Sequence, residues 1–131
     1  FEKRAHSAIQ EGITADELSD LYFSTINEQF GDSVDLAPEF KDEWAFIPHI
    51  FYTPFYCYAY SFGELLSLSL YEKYKTEGRS FVPKIEKILR AGGSENPQKL
   101  LRSVGVDITS QDFWSSGFDI IRGWQNQLES L

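Results

Sequence analysis

The 131-residue sequence has one cysteine, no methionine, two histidines and five prolines. A lone Cys57 excludes a disulfide framework and a cysteine-based zinc cluster, and it fits a reducing compartment, so a cytoplasmic location is expected. Bases are scarce as well: twelve Lys and Arg stand against twenty Asp and Glu, a net charge of −8. Phosphate backbones call for clustered Lys and Arg, so nucleic acid is excluded as a partner. Long hydrophobic runs are missing too. The one extended stretch poor in charge, Trp44 to Tyr71, is broken by Pro48, Pro54 and Glu64, which argues against a membrane span. The catalytic signatures readable at short range are absent: no His-Glu-x-x-His, no glycine-rich phosphate loop, no Gly-x-Ser-x-Gly. His6 and His49 lie far apart, so no self-contained zinc or iron site is expected. A chain without methionine that begins at Phe1 is expected to be a portion of a longer translation product.

What is present is acidic at one end and aromatic in the middle. Residues 1–46 hold eleven acids and three bases, and the remaining 85 hold nine of each. Either these carboxylates form a solvated face or they attract basic ligands. Apolar content of 42% with 24% charged residues is that of a globular chain, and 131 residues suit a single domain. Nine aromatic residues fall between Trp44 and Phe62.

Helix signals dominate, and all-α with five or six helices is the expected fold. Glu2 to Gln10 forms a short helix closed by Gly12. Thr14-Ala-Asp-Glu17 is a capping box opening a helix with Leu18, Leu21, Tyr22, Ile26 and Phe30 on one stripe, stopped by Gly31. Asp32 to Pro48 reads as a connector with one turn around Glu39 to Trp44. Thr53-Pro54 signals a helix start, running to about Lys75. Ser80 caps a helix through Arg90, Asn96-Pro97 opens a short one to about Val104, and Thr109 or Ser110 opens the last. Its apolar set is Phe113, Trp114, Phe118, Ile121, Trp124 and Leu128.

One constellation could carry chemistry: His49, Tyr52, Tyr56, Tyr58 and Tyr60. Tyrosine hydroxyls are neutral donors at pH 7 and can stabilise a developing oxyanion. They can equally be amphipathic aromatics packing a helix, with His49 structural. If the helix is regular, Tyr56, Tyr60, Gly63 and Ser67 share one face and Tyr58 lies on another. Gly63 in mid-helix costs about 1 kcal/mol relative to Ala. It therefore predicts close packing of another backbone on the Tyr56 and Tyr60 face, which leaves Tyr58 the freer candidate. Cys57 is expected as a buried thiol within this helix, and Glu64 as a hydrogen-bonded structural acid.

Ile47-Pro-His49, followed by Pro54-Phe-Tyr-Cys-Tyr-Ala-Tyr-Ser-Phe-Gly63, closely resembles the C-terminal catalytic segment of the oligoendopeptidase F group of M3 zinc metallopeptidases. The likeness extends through Phe1-Glu2 with Ala5-His6, Phe30-Gly31-Asp32, Phe81-Val-Pro-Lys84, Ala91-Gly-Gly-Ser94, and Gly105-Val-Asp-Ile108 with Asp112-Phe-Trp114. It covers essentially the whole chain. The resemblance implies a thermolysin-like helical catalytic domain that admits short peptides. In that family a His-Glu-x-x-His helix and a later glutamate hold zinc, and a zinc-bound water attacks the peptide carbonyl. By the same resemblance His49 is the transition-state histidine, Tyr58 the oxyanion tyrosine and Tyr52 a substrate-binding loop tyrosine.

Two departures qualify what is implied. The zinc-binding helix and its glutamate belong upstream of Phe1, so this segment is expected to hold no metal ligand, to be inactive alone and to need the upstream part of its own enzyme. Where many members have His-Phe-Tyr, this chain has His49-Ile-Phe-Tyr52, one residue longer, which bears on Tyr52 and leaves Tyr58 untouched. The alternative is a non-catalytic helical module that presents the same scaffold to a peptide or protein. An exposed aromatic patch, able to drive self-association, is expected on either reading.

Overall fold

In a computed structural model that describes residues 1–131, every regular element is helical. The α-helices are α1 (Glu2–Gln10), α2 (Ala15–Phe30), α3 (His49–Tyr52), α4 (Tyr58–Glu77), α5 (Val82–Ala91), α6 (Pro97–Arg102) and α7 (Gln111–Glu129). Three 3-10 segments lie between them, at Gly31–Ser33, Pro38–Phe46 and Gly78–Phe81. The all-α expectation holds. The helix beyond the expected five or six is α3, a single turn that Pro48 starts with its preset φ of −63°. The chain divides into two compact units, Phe1–Ala59 and Tyr60–Leu131.

In the first unit, local chemistry sets the helix ends. The Thr14 N–H donates to the Glu17 carboxylate at 2.8 Å, and the Glu17 N–H donates to the Thr14 hydroxyl at 3.3 Å, completing the capping box. The Thr14 backbone bond, with its hydroxyl second, holds the Glu17 carboxyl below its ordinary range. Gly12 and Gly31 take the positive φ at the two exits that a side chain would disfavour.

The buried face of α2 then fixes the connector by polar contacts. Ser19 donates to Asp42 at 2.6 Å and accepts from the Trp44 indole at 3.0 Å, while the Tyr22 hydroxyl donates to Glu43 at 2.7 Å. Burial of the Tyr22 phenol, and then its bond to the Glu43 carboxylate, push its pKa up to about 12. These three bonds explain why Pro38–Phe46 winds into nine helical residues where a single turn was expected.

The second unit is built on a core of Phe81, Leu101, Val104, Val106 and Phe113, with Leu66, Leu70, Ile85, Ile88, Ile108 and Trp114 packed against it. Gly105, at φ +80°, turns the chain out of the α6 region. The Gly105 N–H donates to the Arg102 carbonyl and the Val106 N–H to the Leu101 carbonyl, at 3.1 and 2.9 Å. That pairing brings the buried Val106 and Leu101 together at the turn. Asn96 caps α6 by accepting from the Lys99 N–H. Ser80 does not cap α5: its hydroxyl bonds back to the Glu77 carbonyl, and α5 begins from Phe81 without a side-chain cap.

One packing expectation fails. Gly63 has nothing within 4 Å of where a Cβ would stand, so no backbone packs on it. The close approach is at Gly117 of α7, where a Cβ would meet the Ser69 hydroxyl at 2.8 Å and the Leu65 carbonyl at 3.1 Å. With α7 pressed to α4 at this point, the buried face of α7 becomes Phe113, Gly117 and Ile120. Of the apolar set read from the sequence of this helix, Phe118, Ile121, Trp124 and Leu128 are exposed.

Candidate functional site

His49, Tyr52, Tyr56 and Tyr58 belong to the first unit and lie in one short stretch after Pro48, whereas Tyr60, the last of the constellation, is the first residue of the second unit. The Pro48 carbonyl accepts from both Phe51 and Tyr52 N–H groups, at 3.1 and 2.9 Å, and closes the single turn of α3. Ile50 is 3% exposed and anchors the turn, and the Phe51 ring lies edge-on to Trp44 with centroids 5.6 Å apart. The next residue, Tyr52, is 87% exposed. His49, half-buried, stacks on Tyr56 with centroids 6.1 Å apart and planes 19° from parallel.

Between Thr53 and Cys57 the chain is not helical, contrary to the Thr53-Pro54 signal, and α4 starts only at Tyr58. The cause is Phe55, the one non-glycine residue at positive φ, +63°. A bulky residue in that region costs about 1–3 kcal/mol and persists only where its surroundings impose it. Tyr56 therefore precedes the helix and does not share a helical face with Tyr60, Gly63 and Ser67. Cys57 sits half-buried in this turn, not inside a helix, and Glu64 is exposed on α4.

Tyr58, the first residue of α4, is 70% exposed and lines a cavity of about 620 Å³ with Phe1, Glu2, Lys3, Arg4 and Phe55. Helix α1 thus reaches the stretch that carries the tyrosines. The Glu2 carboxylate accepts the Phe55 N–H, the His6 Nε2–H donates to the Ile50 carbonyl at 3.2 Å, and the His6 ring packs on Phe55 with centroids 5.1 Å apart. Sequence reasoning gave neither Glu2 nor His6 a role. Their four-residue spacing, which puts both on one face of α1, was the available signal.

No group of three or more His, Cys, Asp or Glu side chains converges so that it could hold a metal ion. Zinc therefore has no fit among these residues, and the chemistry available to the stretch is hydrogen-bond donation from phenols and an imidazole. No helix is long and apolar enough to cross a membrane.

An all-helical chain with a histidine and three tyrosines gathered at one turn is matched along residues 1–120 by the model of peptidase family M3, and the chain belongs to that family. It is similar to oligopeptidase PepF of Bacillus subtilis, with 33% identity over 114 residues, covering 86% of this chain and 17% of that protein. It is also similar to the plasmid oligoendopeptidase F of Lactococcus lactis subsp. cremoris, 34% identical over an alignment of 137 residues that covers 100% of this chain and 22% of that protein. The oligoendopeptidase F homolog of Borreliella burgdorferi is 34% identical over 113 residues, 85% of this chain and 19% of that protein. The chain thus spans about a fifth of the length of the relatives it matches. No solved structure matches it.

Proposed function

We propose that this chain is the substrate-side portion of a zinc-dependent oligoendopeptidase that hydrolyses short peptides, with the metal held by a part of the enzyme outside residues 1–131. Tyr58 donates its phenol O–H to the oxyanion that forms at the scissile carbonyl, His49 donates to the same reacting group, and Tyr52 binds the peptide. A neutral phenol suits this work, since it offers a proton to developing negative charge without being ionised at pH 7. The enzyme is cytoplasmic, and its partners are short peptides and its own metal-binding part.

Membership of family M3 supports this reading, as do the names of the relatives, oligopeptidase and oligoendopeptidase. The observation that carries it is the exposure of Tyr58 over its cavity. A tyrosine kept purely for packing would be buried with its hydroxyl paired inside the protein.

The test is made on the full-length protein. Tyr58→Phe should lower kcat by roughly 10²–10³ with zinc content unchanged, the scale of losing one oxyanion donor. Unchanged turnover removes Tyr58 from the mechanism. His49→Ala should lower kcat as well; a rise in KM alone would assign it uniform binding. Reading the codons upstream of Phe1 checks the premise, since the proposal requires a His-Glu-x-x-His motif there.

A further inference from the structure

We infer that Glu2 is a positioning residue for this site: its carboxylate holds the backbone of Phe55 in the turn that delivers Tyr58. The inference rests on the proposed role of Tyr58 and goes beyond it, because Glu2 touches no reacting group.

Phe55 adopts a backbone conformation that a phenylalanine avoids, at φ +63°, and such a conformation needs an outside partner. The sequence ahead of it, Thr53-Pro54, favours an immediate helix start, in which Tyr58 would already lie in the second turn. The observed chain instead delays α4 until Tyr58 itself. The contact that enforces the delay comes from 53 residues away in sequence, where the Glu2 carboxylate accepts the Phe55 N–H.

His6, four residues on along the same face of α1, steadies the arrangement from the other side. Its Nε2–H bonds to the Ile50 carbonyl and its ring lies on Phe55. One helix face therefore grips the stretch at two places, one within α3 and one three residues before Tyr58. An ionised acceptor makes the stronger kind of hydrogen bond, so Glu2 is the residue whose loss should be felt most. Without it Phe55 can relax to negative φ, and the register of Tyr58 relative to His49 changes.

The experiment measures kcat and KM of the full-length enzyme on a short internally quenched peptide, for Glu2→Ala, Tyr58→Phe and the double variant. Glu2→Ala should lower kcat about tenfold, with KM changed less than about twofold and zinc content unchanged. In the Tyr58→Phe background the same change should cost less than about twofold, because no hydroxyl remains to be misplaced. A role confined to stability would give equal losses in both backgrounds, and that outcome overturns the inference while leaving Tyr58's role standing. A silent Glu2→Ala overturns it too. A silent Tyr58→Phe instead overturns the functional reading, and the inference falls with it.

If Glu2→Ala fails to fold, Glu2→Gln and Glu2→Asp decide. The amide oxygen of Gln still reaches and accepts from Phe55, so kcat should stay within about threefold of the parent. The shorter Asp keeps the charge but not the reach, and should lose about tenfold. An active Asp variant beside an inactive Gln variant overturns the inference.

Discussion

Aromatic side chains dominate two regions of this molecule and do opposite things in them. In the second unit Phe81 is wholly buried and Phe113 nearly so, inside a shell of aliphatic residues from α4, α5 and α6. Around α3 in the first unit, Phe46, Tyr52 and Tyr58 are exposed, while Ile50 beside them is buried. The two sets are similarly apolar, so hydrophobicity alone does not assign their roles. The difference lies in what surrounds each backbone. The core aromatics sit on regular helices or at their ends, packed from several sides. The exposed tyrosines flank a turn held by polar contacts from α1, where a phenol hydroxyl can meet a ligand.

The sharpest way to break the comparison is to remove a ring from the core. Phe81→Ala should destabilise the protein by about 3–5 kcal/mol, the usual cost of emptying a buried phenylalanine site, read as a shift of the urea midpoint. A loss under 1 kcal/mol would mean that the second unit is not organised around this ring. Next in size is overpacking at the helix contact. Gly117→Ala places a methyl 2.8 Å from the Ser69 hydroxyl and 3.1 Å from the Leu65 carbonyl, and should cost about 1–3 kcal/mol. The Ser69 hydroxyl is fully buried and has no hydrogen-bond partner. Ser69→Ala should therefore be neutral or stabilising, and in combination it should recover part of the Gly117→Ala loss. Strict additivity of the two would show that the helices move apart rather than clash.

Tyr22 lies between the two extremes, a buried ring whose hydroxyl is committed to Glu43. Tyr22→Phe should cost about 1 kcal/mol at neutral pH. The pH dependence follows from a folded pKa of about 12, above the ordinary tyrosine value of about 10. Below pH 10 the phenol is neutral in both states and its contribution is complete. Between pH 10 and 12 the unfolded chain loses this proton first, so stability declines and the contribution is lost as pH passes 12. The stability difference between parent and Tyr22→Phe should shrink over that window. A difference independent of pH would contradict the raised pKa.

How much of this was legible in the sequence depended on how local its causes are. The capping box of Thr14 and Glu17 and the Asn96 cap were readable because donor and acceptor lie three residues apart. The Phe55 turn was not, since the local Thr53-Pro54 signal is overridden by a carboxylate that only the fold brings near. Gly63 and Gly117 illustrate the same limit: both interrupt a long helix, and nothing in their neighbours in sequence tells which one meets another helix. The family was legible from several motifs in order along the chain, and with it His49, Tyr52 and Tyr58 as candidates. The two α1 residues that grip their turn were visible in those motifs but carried no stated role, because a spacing of four identifies a face without naming what lies against it.

The smallest expected effect sharpens the comparison most. Tyr58→Phe removes one oxygen from a side chain already 70% exposed, and Tyr52→Phe does the same to one 87% exposed. Neither change should shift the urea midpoint by more than about 0.5 kcal/mol, the usual range for surface substitutions. A core aromatic shows the reverse pattern, a large stability cost. If Tyr58→Phe leaves stability intact while depressing kcat, its hydroxyl acts on the reaction and not on the fold. A destabilisation of 2 kcal/mol or more would make Tyr58 a structural tyrosine after all, and the contrast between the two aromatic regions would lose its functional meaning.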